Sequence, residues 1–223
     1  MSWSLLELTL RVAVVATLVN IPLALGVSWL LVKTRIPGRF VLDVLVSLPL
    51  AVPPVAIGFF LLLLLGREGP IGGIVHAVLG ADIVFTWVGA AIASAVVSFP
   101  LMARATMVAM SGVDELLEKS ARSLGAGPWR VFLTITIPLA YRGIIAGVLL
   151  GFVRALSEFG ATITVAGNIA GKTQTLPLAL YSAVLLRDDA LAFQLIAVII
   201  VIAIVTLVVH NWLLAKTIRA EVS

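Results

Sequence analysis

The sequence predicts an all-α integral membrane protein, and three observations support this fold class. Of the 223 residues, 61% are hydrophobic and 12% are charged, and the mean hydropathy is +1.19. Soluble domains contain about 45–50% apolar and about 25% charged residues, so this composition indicates a chain surrounded by lipid. Five apolar stretches have the length of about 20 residues that a helix needs to cross a bilayer, and one charged segment separates the third from the fourth. We therefore expect a single transmembrane domain over residues 1–223.

The five expected spans lie near residues 12–32, 44–65, 83–103, 143–165 and 191–215. Ten basic residues fall in the loops on one side of these spans, and they are Lys33, Arg35, Arg39, Arg104, Lys119, Arg122, Arg130, Arg142, Lys216 and Arg219. The opposite loops hold Arg67, Lys172 and Arg187, with Arg11 near the N-terminus. Because cytoplasmic loops carry the excess of Lys and Arg, we expect the N-terminus outside and the C-terminus inside the cell.

The segment between the third and fourth spans, residues 111–138, predicts a cytoplasmic amphipathic helix. Charged residues within Asp114–Arg122 fill all but one face of this helix. Gly125-Ala126-Gly127 ends it. Pro128 suits the first position of a second helix, and Pro138 closes the segment. The apolar positions recur at helical spacing, and they are Leu117, Ala121 and Leu124. Periodicity alone also fits a loop that only packs two helices against the headgroup layer.

The spacing within this segment resembles the coupling motif of ABC importer permeases, usually written EAA, three residues, G, nine residues, I-x-L-P. Ser120-Ala121, Gly125, Ile135 and Ile137-Pro138 match it, while Lys119 stands at the Glu position and Ile137 at the Leu position. The resemblance implies that a cytosolic ATPase receives the helix in a groove, anchored by apolar side chains. The residues expected to couple to the ATPase are Leu117, Glu118, Ser120, Ala121, Leu124, Gly125 and Pro138.

Prolines interrupt the second span, and an asparagine and a proline interrupt the first. Pro49, Pro53 and Pro54 each remove a backbone donor and obstruct the preceding turn, so this helix is expected to break or kink strongly. The break is either a static kink or a hinge beside a transport pathway, with Pro53 and Pro54 as hinge residues. Asn20 and Pro22 in the first span indicate packing against protein.

The fourth span contains two charged residues, Arg154 and Glu158, four residues apart. Helical spacing lets them form an ion pair, and the cost of intramembrane charge requires that they face protein or water. Such a pair is either part of a translocation path or an architectural contact. Thr162 and Thr164 follow toward the outer side, where small hydroxyl-bearing residues suit a hydrated path.

The segment Ser157–Thr164, followed by Gly167–Ile169 and Gly171–Pro177, resembles oxyanion importer permeases, most closely the molybdate and next the sulfate permeases. The resemblance extends over nearly the whole chain, through Pro37–Arg39, Pro53-Pro54 and Ser98–Ala105. It implies a permease in the inner membrane of a prokaryote, importing molybdate or alternatively sulfate or tungstate. Two copies of the chain would enclose the path, with two cytosolic ATP-binding subunits and an extracytoplasmic binding protein as partners. That binding protein is expected to dock near Leu176–Leu186 and to select the anion.

No enzymatic, metal or nucleic-acid site is expected. Gly167–Thr173 looks like a phosphate-binding loop but has three residues between its glycines where the pattern requires four, so Mg-ATP is expected on the partner subunit and no cofactor on this chain. His76 and His210 stand alone, and cysteine is absent. The net charge of +4 comes from residues dispersed over loops, not from a patch. Two rival classes remain, a passive anion channel and a membrane scaffold.

Overall fold

A computed structural model of the chain describes residues 3–34 and 37–222, with side chains as far as residue 214. Arg35 and the side chains of Lys216 and Arg219, three of the basic residues behind the expected orientation, lie outside the described part. The described residues form helices and no strand, in agreement with the predicted all-α class. The helices are α1 (Trp3–Lys33), α2 (Arg39–Ala51), α3 (Pro54–Leu65), α4 (Pro70–Leu79), α5 (Trp87–Ser111), α6 (Glu115–Ser123), α7 (Pro128–Val131), α8 (Ile137–Leu156), α9 (Gly160–Ala166), α10 (Leu176–Leu185) and α11 (Asp189–Val222).

Four stretches of the described chain are long and apolar enough to cross a membrane. They are α1, α5, the stretch Pro128–Leu156 and residues Asp189–Leu214 of α11. A fifth span exists only if α2 and α3 are counted together, because the two helices meet at an angle of 112°. The expected break in the second span is therefore confirmed, and it lies between Ala51 and Pro54.

Helix α5 is the centre of the bundle, since it packs against α1 on one side and α8 on the other. Glycines four residues apart on α8, Gly143, Gly147 and Gly151, form the surface that meets α5. A Cβ on Gly143 would come within 2.6 Å of the Ala109 Cβ, and one on Gly147 within 3.0 Å of the Ala105 Cβ. Small residues let membrane helices approach this closely, so these glycines set the α5–α8 distance.

The fourth span differs from the expectation at both ends. The helix that contains it starts before residue 143, at Pro128, and continues through a π-helical turn at Phe132–Thr136 into α8. Pro138 therefore lies inside a continuous helical stretch instead of closing the charged segment. The π turn precedes this proline directly, with the Ile137 amide donating to the Phe132 carbonyl. At the other end, α8 stops at Leu156, and the separate short helix α9 covers much of the remaining predicted span.

The helix termini lie at two opposite ends of the bundle. We call the first the α6 end, where the last residues of α1 and α5 meet α6, as the contact between Lys33 and Glu118 shows. The opposite end holds the start of α1 and α10, which meet where the Leu176 amide donates to the Thr9 hydroxyl at 2.9 Å.

Candidate coupling surface and intramembrane ion pair

Helix α6 begins and ends where the sequence predicts, and local hydrogen bonds explain both boundaries. The Asp114 carboxylate caps the first turn by accepting from the Leu116 amide at 2.8 Å. At the other end, Gly125 has φ +88°, its amide donates to the Arg122 carbonyl, and the Ala126 amide donates to the Ala121 carbonyl, both at 3.0 Å. This pair of bonds is a Schellman motif, which needs a left-handed residue at the Gly125 position. The glycine is therefore required by the backbone conformation.

One of the expected outward-facing charges, Glu118, is instead buried, with 3% of its surface exposed. Its Oε1 lies 3.1 Å from the Lys33 Nζ at the end of α1 and accepts a hydrogen bond of 2.6 Å from the Thr136 hydroxyl in the π turn. The assignment of Glu118 to the solvent-facing side of the helix is thus wrong, because two partners distant in sequence draw it into the bundle. Glu118 ties α6 to α1 and to the base of α8.

The exposed surface of this region includes large apolar side chains among its charged ones. Leu124 is 90% exposed, and Leu116 and Leu117 are also exposed. Ser120 is exposed and Ala121 partly buried, while Leu117 and Pro138 line a common cavity of about 360 Å³ between α6 and α8. Exposed apolar side chains on an otherwise charged helix suit a protein partner with an apolar groove.

Aromatic rings join the second helix of the segment to α1. The Trp29 ring lies 6.2 Å from that of Trp129 in an edge-on arrangement and 5.5 Å from that of Phe132. Phe132 is buried with Met110 and Ile144 in one apolar cluster. The segment is therefore attached to α1, α5 and α8 by both ionic and apolar contacts.

The expected ion pair between Arg154 and Glu158 is present, with 2.8 Å between the Arg154 Nη1 and the Glu158 Oε2. The two residues do not share one helix, since α8 ends at Leu156. Glu158 lies in the break and also accepts a hydrogen bond of 2.8 Å from the Ala161 amide in α9. The Arg154 side chain is 30% exposed and that of Glu158 only 2%, so the arginine is the accessible partner of the pair.

The threonines expected along a path are oriented toward the chain itself. Thr162 is fully buried, and its hydroxyl lies 3.5 Å from that of Ser94 on α5. Thr164 donates to the Gly160 carbonyl within its own helix. Close contact of α9 with α3 is possible because Gly58 and Gly160 face the opposite helix without a side chain.

Three further polar side chains, Asn20, His76 and His210, also have partners within the chain. The Asn20 amide group donates to the Ala95 carbonyl at 2.9 Å and to the Ser98 hydroxyl at 3.2 Å, which confirms that this face of α1 packs against protein. His210 lies 2.9 Å from the Ala146 carbonyl, and His76 lies between Arg67 and Asp82. The described residues contain no cluster of three potential metal ligands.

The sequence of this chain is similar to those of known membrane transport proteins. Residues 20–219 match the family described as binding-protein-dependent transport system inner membrane component. The molybdenum transport system permease ModB of Escherichia coli is 45% identical over 95% of this chain and 93% of its own length. The ModB protein of Haemophilus influenzae is 44% identical over 96% of this chain and 93% of its own length. The sulfate transport system permease CysW of Synechocystis is 35% identical over 96% of this chain and 77% of its own length.

Two solved structures have a similar fold at low identity. The MetNI methionine ABC transporter in inward-facing conformations matches with a TM-score of 0.74 at 15% identity, covering 97% of this chain and 99% of the matched one. A bacterial alginate ABC transporter in complex with an alginate-bound periplasmic protein matches with a TM-score of 0.67 at 18% identity, covering 93% and 75%. The fold is that of an ABC importer permease. Since the family model covers most of the sequence, the chain belongs to the family of binding-protein-dependent transport system inner membrane components.

Proposed function

We propose that the chain is the permease subunit of an ATP-driven oxyanion importer and that the oxyanion is molybdate. The observation that carries the proposal is the 45% identity to a molybdenum transport permease over 95% of the chain. The sulfate permease of Synechocystis, at 35% identity, makes sulfate the alternative substrate, with tungstate as a chemically similar third.

The α6 end faces the cytoplasm in this proposal, with the N-terminus outside and the C-terminus inside. Support comes from Lys33, Arg39, Lys119 and Arg122, which line one cavity at that end. An excess of basic residues is typical of the cytoplasmic side. The bent α2–α3 pair then counts as the fifth span.

Two copies of the chain form the transport path at their interface, and the bend at Pro53 and Pro54 absorbs part of the movement between outward-open and inward-open states. A path must bind its substrate weakly enough to release it. The arrangement at Arg154 suits that requirement, because Glu158 neutralises the accessible guanidinium at 2.8 Å. Selection of the anion therefore falls mainly to an extracytoplasmic binding protein, a partner of the kind present in the alginate transporter complex.

Energy comes from two cytosolic ATPase subunits that bind Mg-ATP. Each ATPase contacts the exposed Leu117 and Leu124 of one copy. Movement of α6 passes to α1 through the contact of Glu118 with Lys33, and to α8 through the Thr136 hydroxyl in the π turn. The permease itself transmits the movement and binds no nucleotide.

Reconstitution tests this function. Permease, ATPase and binding protein in proteoliposomes should accumulate molybdate only when ATP and the binding protein are both supplied on their proper sides. Molybdate should be taken up in preference to sulfate. Anion flux through the permease alone, without ATP, would establish a channel instead, and no uptake with a correctly assembled complex would favour a scaffold.

A further inference from the structure

A charged cavity of about 480 Å³ lies at the α6 end, where α1, α2, α5 and α6 meet. Its apolar lining residues are Val32 and Val113, and its uncharged polar lining residues are Thr34 and Ser111. The charged side chains that line it are Lys33, Arg39, Glu115, Glu118, Lys119 and Arg122. Four positive and two negative groups leave an excess of positive charge facing this space.

The two carboxylates in the cavity already have cationic partners. Glu118 pairs with Lys33 at 3.1 Å, and Glu115 pairs with Lys119 at 3.0 Å. Arg39 forms no ion pair with any described residue, and neither does Arg122. The excess positive charge is therefore concentrated on the two guanidinium groups, which are suited to bind phosphate oxygens in a bidentate manner.

A second cavity, of about 570 Å³, adjoins the first and shares Val32, Arg39 and Ser111 with it. Its remaining lining is mainly apolar and includes Leu31 and Met107. Phe40 and Val108, which also line it, are largely exposed. Besides Arg39, its lining contains one basic residue, Arg104. The Asp43 Oδ1 lies 2.9 Å from the Arg104 Nη1 and neutralises this charge. The two cavities together offer an anion-binding compartment next to an apolar one.

We place the cavities at the boundary of the bilayer from the ends of two helices long and apolar enough to cross it. The membrane-crossing helix α1 ends at Lys33 and α5 ends at Ser111, and both residues belong to the charged cavity. The charged compartment thus lies where lipid headgroups begin, and the apolar compartment lies beside it along α2 and α5. Basic pockets at this depth between membrane helices suit anionic lipid headgroups.

We propose that these cavities bind an anionic phospholipid, with its phosphodiester between Arg39 and Arg122 and one acyl chain along Phe40 and Val108. The lipid would bridge α2, which carries Arg39, to α6, which carries Arg122. Lipid binding at these cavities does not depend on which anion the permease transports.

Retention of lipid by the purified full-length chain tests the proposal. Native mass spectrometry in detergent, after equilibration with phosphatidylglycerol or with phosphatidylcholine, measures the bound fraction of each. Wild type should retain phosphatidylglycerol in preference, and Arg39→Gln and Arg122→Gln should each weaken that retention about fivefold. Lys172→Gln, which removes one exposed positive charge from the opposite end, should leave it unchanged.

Three further arms identify the ligand. Val108→Ser should reduce retention of phosphatidylglycerol while keeping both arginines, because it disturbs only the acyl-chain compartment. Millimolar inorganic phosphate should not displace the lipid; full displacement would overturn the proposal in favour of a simple anion site. Displacement of the lipid by added ATPase subunits, or equal retention by Arg39→Gln and wild type, would overturn it as well.

Discussion

A single buried carboxylate, that of Glu118, joins three segments at the α6 end. It contacts the last residue of α1 and the Thr136 hydroxyl of the π turn while it belongs to α6 itself. Because Lys33 is also largely buried, each charge depends on the other for its compensation. The proposed coupling, in which α6 moves as a rigid unit, requires such an attachment.

Replacement of Glu118 by alanine should destabilise the protein by about 3–5 kcal/mol, because it leaves the Lys33 ammonium buried without its carboxylate. Thermal unfolding of the purified protein in detergent measures the effect. Glu115→Ala is the matched control, since its ion pair with Lys119 is solvent-exposed and such pairs contribute about 0–1 kcal/mol. Equal shifts in the two variants would contradict the assigned role of Glu118.

Gly125 is a second residue whose role follows from local geometry. A Cβ would meet no atom within 4 Å there, yet φ is +88°. Gly125→Ala should therefore cost about 1–2 kcal/mol from backbone strain alone. Gly127 has equally open surroundings but φ −66°, so Gly127→Ala should have little effect on the unfolding temperature. Similar losses in both variants would contradict the role assigned to the positive φ of Gly125.

At the scale of elements, the glycine surface of α8 determines how closely two membrane helices approach. Gly147→Val should destabilise the protein by about 1–3 kcal/mol, because the added methyl groups collide with Ala105 and Thr106. Gly26→Val in α1 introduces the same β-branched residue where no atom lies within 4 Å of the added Cβ. Thermal unfolding should separate the two variants, and an equal loss would assign the effect to helix propensity.

The charged segment and α8 form one continuous unit. The π turn at Phe132–Thr136 lies between α7 and α8, and Pro138 follows it within the helix. Thr136 in this turn binds Glu118, so the point of attachment of α6 coincides with the irregular part of the helix. Irregular turns of this kind often occur at functional sites, and here the turn lies where movement of α6 would enter the membrane.

At the scale of the whole molecule, local and compositional signals predicted much of the fold. Hydropathy indicated the long helices, the prolines indicated the α2–α3 break, and Gly125 indicated the end of α6. The break after α8 was missed because Ser157, Glu158 and Phe159 include neither glycine nor proline. The burial of Glu118 was missed because Lys33 lies 85 positions away in sequence, and side-chain periodicity contains no information about such partners. The Arg154–Glu158 pair was predictable because its two members are four residues apart.

Helix α6 is proposed to transmit movement from an ATPase, and co-purification of the ATPase with permease variants tests this role most directly. Leu124 is exposed and is the C-cap residue of α6, and the test variant is Leu124→Asp. The matched control is Leu186→Asp, because Leu186 is also an exposed C-cap residue, that of α10 at the opposite end of the bundle. Leu124→Asp should abolish association with the ATPase at unchanged amounts of permease in the membrane, whereas Leu186→Asp should retain it. Full association of Leu124→Asp, or equal loss in both variants, would contradict the claim.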